Sequence, residues 1–333
     1  MKLIAETAWH HQGDFEFMKN LVNSIGNQSK ADIIKLHLTF SLEEYMHYDH
    51  TAFKMLEDWL FTENQWKEII QSPALTSKSL MLLMNDTRAV EFGMGYAPDL
   101  VEIHSVCLND INLLRSFKQN INKQTKVVLG IGGTSLEEVE NAVKILDHSN
   151  IILMFGFQNY PTKYENINFK KMRKIMRMFP EYKFGYADHT AWDEADNVLI
   201  TLLGAALGMD YVEKHVSIVY GEERTDSAAA VSIGMLNDIK CKMNILDACN
   251  GNGLLRMNKG EIEYSIFGPM KKAAIFKQNV QAGQILELDM FNFKRTIQKS
   301  NLSQIQALDS IGRKLIEDVS KGQVLLQKHF GEK

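Results

Sequence analysis

The sequence has little cysteine and no long apolar segment, and each scarcity argues against a class of protein. Its 333 residues include three cysteines, Cys107, Cys241 and Cys249, which form no CxxC pair. An odd and sparse set of this kind argues against a secreted domain stabilised by disulfide bonds and favours a protein of the reducing cytosol. The N-terminal segment MKLIAETAWHH enters a strand pattern at once, and no apolar run reaches the length of a membrane span. We therefore predict a cytoplasmic protein without a signal peptide or a membrane anchor.

An excess of charge of one sign is also missing. The formal net charge is −4 and the isoelectric point is near 6.2, which gives no sign of a nucleic-acid or membrane-surface partner. The GxGxxG motif of dinucleotide-binding proteins is absent, and the nearest glycine-rich turn, at 130–134, lacks its spacing. The chain is long enough for one large soluble domain and a small one.

Short apolar runs alternate with amphipathic helical stretches along the first 250 residues. The runs lie at 3–7, 33–39, 79–85, 100–105, 126–132, 151–157, 183–186 and 211–216. The clearest helical stretches lie at 14–24, 135–146, 169–178, 192–207 and 232–249. Ser135 and Glu138 form a capping box at the start of one of them. This alternation predicts an α/β fold, a closed (β/α)8 TIM barrel, although periodicity leaves an open doubly wound sheet as the alternative.

Two histidines stand at the ends of neighbouring predicted strands. His189 follows the run at 183–186, and His215 lies near the end of the run at 211–216. Parallel strands joined by a helix finish at the same edge of their sheet, so we expect the two imidazoles to meet there. In parallel barrels this edge carries the chemistry. Paired imidazoles with nearby carboxylates can hold a divalent metal.

A glycine- and asparagine-containing segment, NGNGLLRMNK at 250–259, interrupts the alternation. The residues after it have short β-like runs and a glycine turn. We therefore predict a barrel domain at 1–250, a linker at 251–261 and a small C-terminal module at 262–333.

Several motifs, found in order, resemble those of the sialic acid synthase family, which makes N-acetylneuraminate, legionaminate and pseudaminate. The motifs are IAETAWHHQGD at 4–14, IIKLH at 33–37, VVLGIGGTSLEEVENAV at 127–143, NYPTKYENIN at 159–168, GYADHT at 185–190 and VEKHVS at 212–217. The last three are specific when found together. KKAAIFKQNVQAGQIL in the C-terminal module resembles the antifreeze-like (SAF) domain that ends these proteins.

The resemblance implies an enzyme that joins phosphoenolpyruvate to an open-chain N-acetylated amino sugar, related to N-acetylmannosamine or to a diacetamido sugar. The products would be a nine-carbon 2-keto acid for glycan or surface-polysaccharide biosynthesis and inorganic phosphate. The resemblance also implies a Mn²⁺ or Mg²⁺ cofactor, which polarises the aldehyde, and carboxylates that transfer protons. It further implies a domain-swapped homodimer, in which the antifreeze-like domain of one chain covers the barrel mouth of the other.

The resemblance assigns roles to individual residues as well. It implies that His189 and His215 bind the metal and that Glu6 and Lys35 are catalytic. The implied substrate-binding residues are Ser105, Gln158, Tyr160, Asp226 and Arg295. Arg295 would reach the sugar from the swapped domain.

The sequence departs from the family in the residues that hold phosphate. Where the family has a lysine on the fourth strand, this chain has Glu102. Hydroxyl side chains of the family are replaced at Leu83, Gly130 and Ala187. A glutamate in place of a lysine reverses the local charge and disfavours a phosphate dianion.

We therefore expect this protein to bind phosphate more weakly than its relatives do, unless other groups compensate for these changes. The candidate replacement donors are His10, His37, His104 and Lys214. Two alternatives to the synthase stay open: a related metal-dependent sugar-acid aldolase or lyase, and a non-catalytic sugar-binding relative.

Overall fold

Eight parallel strands close into a barrel in the computed structural model, which describes residues 1–156 and 159–331. The strands are β1 (Lys2–Glu6), β2 (Ile33–Leu38), β3 (Ser79–Met84), β4 (Leu100–Ile103), β5 (Lys126–Gly130), β6 (Ile151–Phe155), β7 (Lys183–Ala187) and β8 (Tyr211–His215). Strand β8 pairs with β1 and completes the ring, which sets His215 beside Glu6. The predicted TIM barrel is confirmed, and the open sheet is excluded.

Helices connect the strands and pack against their outer faces. In the barrel they are α1 (Phe15–Gln28), α2 (Leu42–Tyr45), α3 (Phe53–Glu57), α4 (Glu63–Ile70), α5 (Thr87–Met94), α6 (Ile111–Asn120), α7 (Leu136–Leu146), α8 (Tyr164–Ile167), α9 (Phe169–Met178), α10 (Asn197–Ala205) and α11 (Ile233–Asn250). Helix α7 has the predicted capping box, in which Ser135 and Glu138 each accept a hydrogen bond from the other's backbone N–H. Among the described helices, none has the length and hydropathy that a membrane crossing requires.

Side chains alternate along each strand, and this alternation positions the site. Leu3 and Ala5 of β1 face outward and join the core beneath the helices. Inward-facing side chains form a second apolar cluster, which consists of Ile4, Ile33, Met81, Leu100, Val128, Ile152, Met154, Ala187 and Tyr211. Two residues beyond Ile4 and Ile33 the same face carries Glu6 and Lys35, which are paired in register. The inner face of the barrel therefore changes from apolar to ionisable as the strands approach their carboxyl ends.

Most strands end one or two residues earlier than the sequence predicts, and β4 and β5 show why. Strand β4 ends at Ile103, and Ser105 begins a 3-10 turn, Ser105–Cys107, instead of extending the strand. Strand β5 ends at Gly130, where an added Cβ atom would lie 2.7 Å from the backbone nitrogen of Ser105. Since real Cβ atoms do not approach a backbone atom so closely, the turn requires glycine at position 130.

The remaining residues form a second compact unit. The chain divides into Met1–Gly251 and Asn252–Lys333. The second unit contains α12 (Lys259–Tyr264), an antiparallel pair of strands, β9 (Ala273–Phe276) and β10 (Phe291–Lys294), and α13 (Gln304–Leu308). Its own apolar core includes Phe276, Leu286 and Leu325. A small C-terminal module is therefore present, and its antifreeze-like identity and the limits of its linker stay predictions.

Candidate active site

A cavity opens at the carboxyl ends of the barrel strands. Its walls contain most of the residues that the sequence predicts for the site: Glu6, Lys35, Ser105, Tyr160, His189, His215 and Asp226. Gln158 lies outside the described residues. Arg295 belongs to the second unit, where its guanidinium donates to the Pro269 carbonyl oxygen at 2.6 and 3.0 Å. The fold thus brings together predicted residues that are far apart along the chain.

A buried lysine surrounded by carboxylates forms the inner end of this cavity. The Lys35 Nζ atom lies 3.2 Å from Glu6 Oε2, 2.6 Å from Glu102 Oε2 and 3.0 Å from Glu213 Oε1. All four side chains are nearly inaccessible to solvent. Since three carboxylates share one ammonium group, the positive charge of Lys35 is already balanced within the protein.

The carboxylates of this cluster differ in their affinity for protons. Burial favours the neutral acid, but the charges of Lys35 and His215 hold the pKa of Glu6 well below its usual range. Burial and the neighbouring Glu6 carboxylate raise the pKa of Glu213 well above its usual range. Burial also raises the pKa of Glu102, against the opposing charge of Lys35. The cluster therefore combines one carboxyl, Glu6, whose surroundings favour the ionised form, with two whose surroundings favour the protonated form.

The two predicted metal ligands lie beside Glu6. The ring centroids of His189 and His215 are 4.9 Å apart, and His215 Nε2 lies 3.3 Å from Glu6 Oε2. Burial lowers the pKa of His189 to about 3, so this imidazole is neutral and keeps a nitrogen lone pair. Burial opposes protonation of His215 as well, but the Glu6 carboxylate raises its pKa.

These donors fit a divalent transition metal in their chemistry. Within residues 1–156 and 159–331, no three His, Cys, Asp or Glu side chains already converge as a metal-binding group. Two imidazoles and one carboxylate are nevertheless a ligand set that suits Mn²⁺ better than Mg²⁺, because Mg²⁺ prefers oxygen ligands throughout. Water molecules would complete the coordination of such an ion.

Lys214 cannot serve as a phosphate donor in this cavity, so that suggestion from the sequence is wrong. It lies between Glu213 and His215 on β8, and strand alternation directs its side chain out of the barrel. There Lys214 Nζ contacts Asp188 Oδ2 at 3.0 Å, and both side chains are fully buried. Asp188 also accepts hydrogen bonds from the hydroxyls of Thr190 and Thr201 at 2.7 and 2.5 Å. This buried pair joins β8 to the residue that precedes His189.

Substituting Lys214 by methionine is expected to lower the free energy of unfolding by about 3–5 kcal/mol, because the Asp188 charge would stay buried without its partner. Denaturant unfolding followed by circular dichroism measures the change. Lys242→Met is the matched control, since Lys242 pairs with Asp238 on the exposed surface of α11 and its loss should cost less than about 1 kcal/mol. Equal small effects of the two substitutions would show that the threonine hydroxyls satisfy Asp188 without Lys214.

The other suggested phosphate donors are placed differently from one another. His10 is buried, and its Nδ1 atom lies 3.0 Å from the Val216 carbonyl oxygen, a contact that needs a proton on Nδ1. His37 and His104 line the cavity. His37 hydrogen bonds to Glu6, and burial lowers the pKa of His104 to about 4. Among the described residues of the cavity wall, Lys35 is the only lysine or arginine.

Among the polar and aromatic residues of the cavity wall, sequence reasoning missed four, namely Trp9, Tyr45, Asn85 and Glu213. Glu213 could have been found, because it lies two residues before His215 and two-residue spacing keeps side chains on one face of a strand. The other three follow β1, β2 and β3 in connections whose paths the strand pattern does not specify. Asn85 donates to the Thr39 hydroxyl at 2.9 Å, which links two neighbouring strand ends.

Known proteins resemble this chain over most of its length. Its sequence is 22% identical over 312 residues to the N,N'-diacetyllegionaminic acid synthase of Campylobacter jejuni, covering 88% of this chain and 90% of the relative. It is 20% identical over 340 residues to the N-acetylneuraminate-9-phosphate synthase of Homo sapiens, covering 98% and 91%. The spore coat polysaccharide biosynthesis protein E of Chromobacterium violaceum covers the whole chain with a TM-score of 0.82 at 16% identity, which shows a shared fold.

A family model gives the decisive match. The model of the NeuB family matches residues 26–254, which include β2 to β8 and both site histidines. The family expected from the sequence motifs is therefore confirmed, and this chain belongs to the NeuB family.

Proposed function

We propose that this protein condenses phosphoenolpyruvate with an open-chain N-acetylated amino sugar, to give a nine-carbon 2-keto acid and inorganic phosphate. The observation that carries the proposal is the convergence of Glu6, Lys35, His189 and His215 in one cavity at the active edge of a TIM barrel. Two relatives that match this chain over most of its length are named as synthases of sugar acids of this class. Relatedness and geometry thus support the same reaction class.

Each group of the cavity has a use in such a condensation. His189, His215 and Glu6 would hold a divalent metal, which when bound supplies Lewis acidity toward the sugar aldehyde. The raised pKa of Glu213 favours its protonated form, which can donate a proton to the oxygen that becomes the new hydroxyl. Lys35 keeps Glu6 ionised and can orient the carboxylate of the three-carbon donor. The apolar cluster beneath the cavity excludes water from its inner end.

The direct test measures product formation. Purified protein with Mn²⁺, phosphoenolpyruvate and either N-acetylmannosamine or a 2,4-diacetamido sugar should release phosphate and 2-keto acid in equal amounts. Glu6→Gln should abolish this turnover, while Glu16→Gln on the exposed start of α1 should leave it unchanged. Phosphate release that does not depend on the sugar would contradict the proposal, as would the absence of a 2-keto acid product.

A second function, a metal-dependent aldolase or lyase that uses pyruvate, is favoured by one observation. The ammonium group of Lys35 is balanced by carboxylates, and the family's phosphate-binding lysine position carries Glu102. A cavity with this balance accepts pyruvate more readily than a donor with an additional phosphate dianion. Cleavage of a nine-carbon 2-keto acid to pyruvate, together with no turnover of phosphoenolpyruvate, would establish the aldolase and exclude the synthase.

We also propose, from the family resemblance, a homodimer in which the second unit completes the active site of a partner. Arg295→Ala is then expected to lower kcat/KM at least about tenfold, because a charged hydrogen bond to the sugar would be lost. Its matched control is Arg256→Ala, at an exposed position of the same unit. Mn²⁺ titration should be unchanged in both variants. Full activity of Arg295→Ala would show that Arg295 has no role in the reaction.

A further inference from the structure

Trp9 presents an aromatic surface to the cavity. It lies in the connection between β1 and α1 and is partly exposed, although tryptophan is usually largely covered. The other apolar side chains of the wall, Leu83, Met154 and Ala187, are buried. A partly exposed indole in the wall of a cleft that also contains charged side chains indicates a surface that a ligand covers.

A series of aromatic rings packs against the Trp9 indole and links it to the barrel core. The Trp9 ring centroid lies 5.6 Å from that of His11, which lies 4.4 Å from that of Phe61. Phe61 in turn lies 5.4 Å from Trp66, whose side chain belongs to the barrel core. The rings therefore connect the open indole to the closely packed interior, which limits its freedom to move.

The backbone around Trp9 is held in an unusual conformation. Ala8 and Gln12, on either side, both have a φ angle of 47°, in the left-handed region that residues with side chains rarely adopt. The backbone N–H of Trp9 donates to Asp226 Oδ2 at 3.1 Å, although Asp226 follows β8 at the other end of the barrel sequence. Strained backbone persists where surrounding contacts over-determine it, and such places cluster at ligand sites.

Arg224 connects the loop that contains Trp9 to the loop that contains Asp226. Arg224 Nε donates to the His10 carbonyl oxygen at 2.8 Å, and the guanidinium lies 4.0 Å from the centre of the Phe17 ring. The Gln12 side chain adds a hydrogen bond to the Thr225 hydroxyl at 3.3 Å. The loop with Trp9 and the loop with Asp226 thus form one preorganised wall of the cavity.

We propose that Trp9 is the residue that selects an N-acetylated acceptor, with its indole packed against the acetamido methyl group of the sugar. This inference rests on the proposed function, because it concerns the acceptor of that reaction. The carbons of an open-chain amino sugar carry hydroxyls, so the acetyl methyl is its most apolar group and the best partner for an aromatic wall. The adjacent Asp226 carboxylate, which the backbone N–H of Trp9 holds in place, can accept a hydrogen bond from a hydroxyl or amide group of the same ligand.

The test compares sugars that differ in the acetamido group, by isothermal titration without a donor substrate. Wild-type protein should bind N-acetylmannosamine or a 2,4-diacetamido sugar more tightly than mannose. Trp9→Ala should weaken binding of the acetamido sugar about tenfold, the effect of losing a methyl–aromatic contact, and should leave mannose nearly unchanged. Trp9→Phe should keep part of the preference. Trp192→Phe is the matched control, since Trp192 lies in the connection after β7 and outside the described cavity wall.

Each outcome bears on the proposal, and unfolding temperatures of all variants show whether each one is folded. Equal weakening toward acetamido sugar and mannose in Trp9→Ala would mean a general loss of the cavity and would overturn it. Equal affinity of the wild type for the two sugars, or no binding of either acetamido sugar, would overturn it as well. Failure of the synthase reaction alone would appear as missing turnover with the Trp9-dependent preference intact, so the two failures are distinguishable.

Discussion

The double variant His189→Ala, His215→Ala is expected to bind Mn²⁺ at least about 100-fold more weakly than wild type and to lose turnover. Each deprotonated imidazole supplies a nitrogen lone pair at the same barrel edge, and without both the ion would keep only Glu6 and water. Titration of Mn²⁺ followed by electron paramagnetic resonance measures the free ion directly. Affinity in the wild type should also fall as the pH falls through the raised pKa of His215, because protons compete with the metal.

His148→Ala is the matched control for this variant. Its Nε2 atom lies 2.8 Å from the Thr125 carbonyl oxygen, just before the amino end of β5 and away from the cavity wall. The control should titrate like wild type. A double variant that also titrates like wild type would show that these histidines hold no metal.

Substituting Glu102 by glutamine is expected to raise the affinity for phosphoenolpyruvate. One charge about 5 Å from a phosphate, at an effective dielectric of about 20, corresponds to about 3 kcal/mol before screening, so at least about a tenfold gain should survive in buffer. The physical cause is that Glu102 would no longer compete for the Lys35 ammonium group, which it contacts at 2.6 Å. Isothermal titration with phosphoenolpyruvate gives the dissociation constants, with Glu137→Gln on the exposed start of α7 as the control.

The wild type and Glu102→Gln should also differ in how their affinity for phosphoenolpyruvate depends on pH. Burial raises the pKa of Glu102, so wild-type affinity for the dianion should increase as the pH falls through that raised value and the carboxylate is neutralised. The glutamine variant should lack this component when titrations are compared in steps from pH 8 into the acidic range. His104 adds to the dependence only toward the acid end of this range, because burial lowers its pKa to about 4. An identical pH dependence in the wild type and the glutamine variant would mean that Glu102 does not face the bound phosphate.

The fold and the histidine pair of the site could be predicted from the sequence because both depend on strand periodicity. Apolar runs of strand length located the eight strands, and the ends of two runs placed His189 and His215 at one edge, whereas Glu6 was assigned from the family resemblance. The error at Lys214 has the same origin. Adjacent residues on a strand face opposite sides, so Lys214 lies behind the wall that its neighbour His215 lines.

The part of the cavity wall that comes from loops could not be predicted in the same way. Trp9 and Tyr45 reach the cavity from loops, and a loop path depends on contacts with distant segments. The position of Trp9 requires Asp226 and Arg224, which lie more than two hundred residues further along the chain. Nothing in the local sequence around Trp9 specifies those partners.

The close packing of Gly130 against the Ser105 turn has a consequence for any attempt to build hydroxyl donors into this cavity. Leu83 and Ala187 already carry a Cβ atom, so a serine at either position adds no new atom next to the backbone. Position 130 differs, because a Cβ atom there would lie 2.7 Å from the backbone nitrogen of Ser105. Gly130→Ser therefore requires the Ser105 turn to move, and a redesign of the cavity for phosphate would begin at Glu102, Leu83 and Ala187.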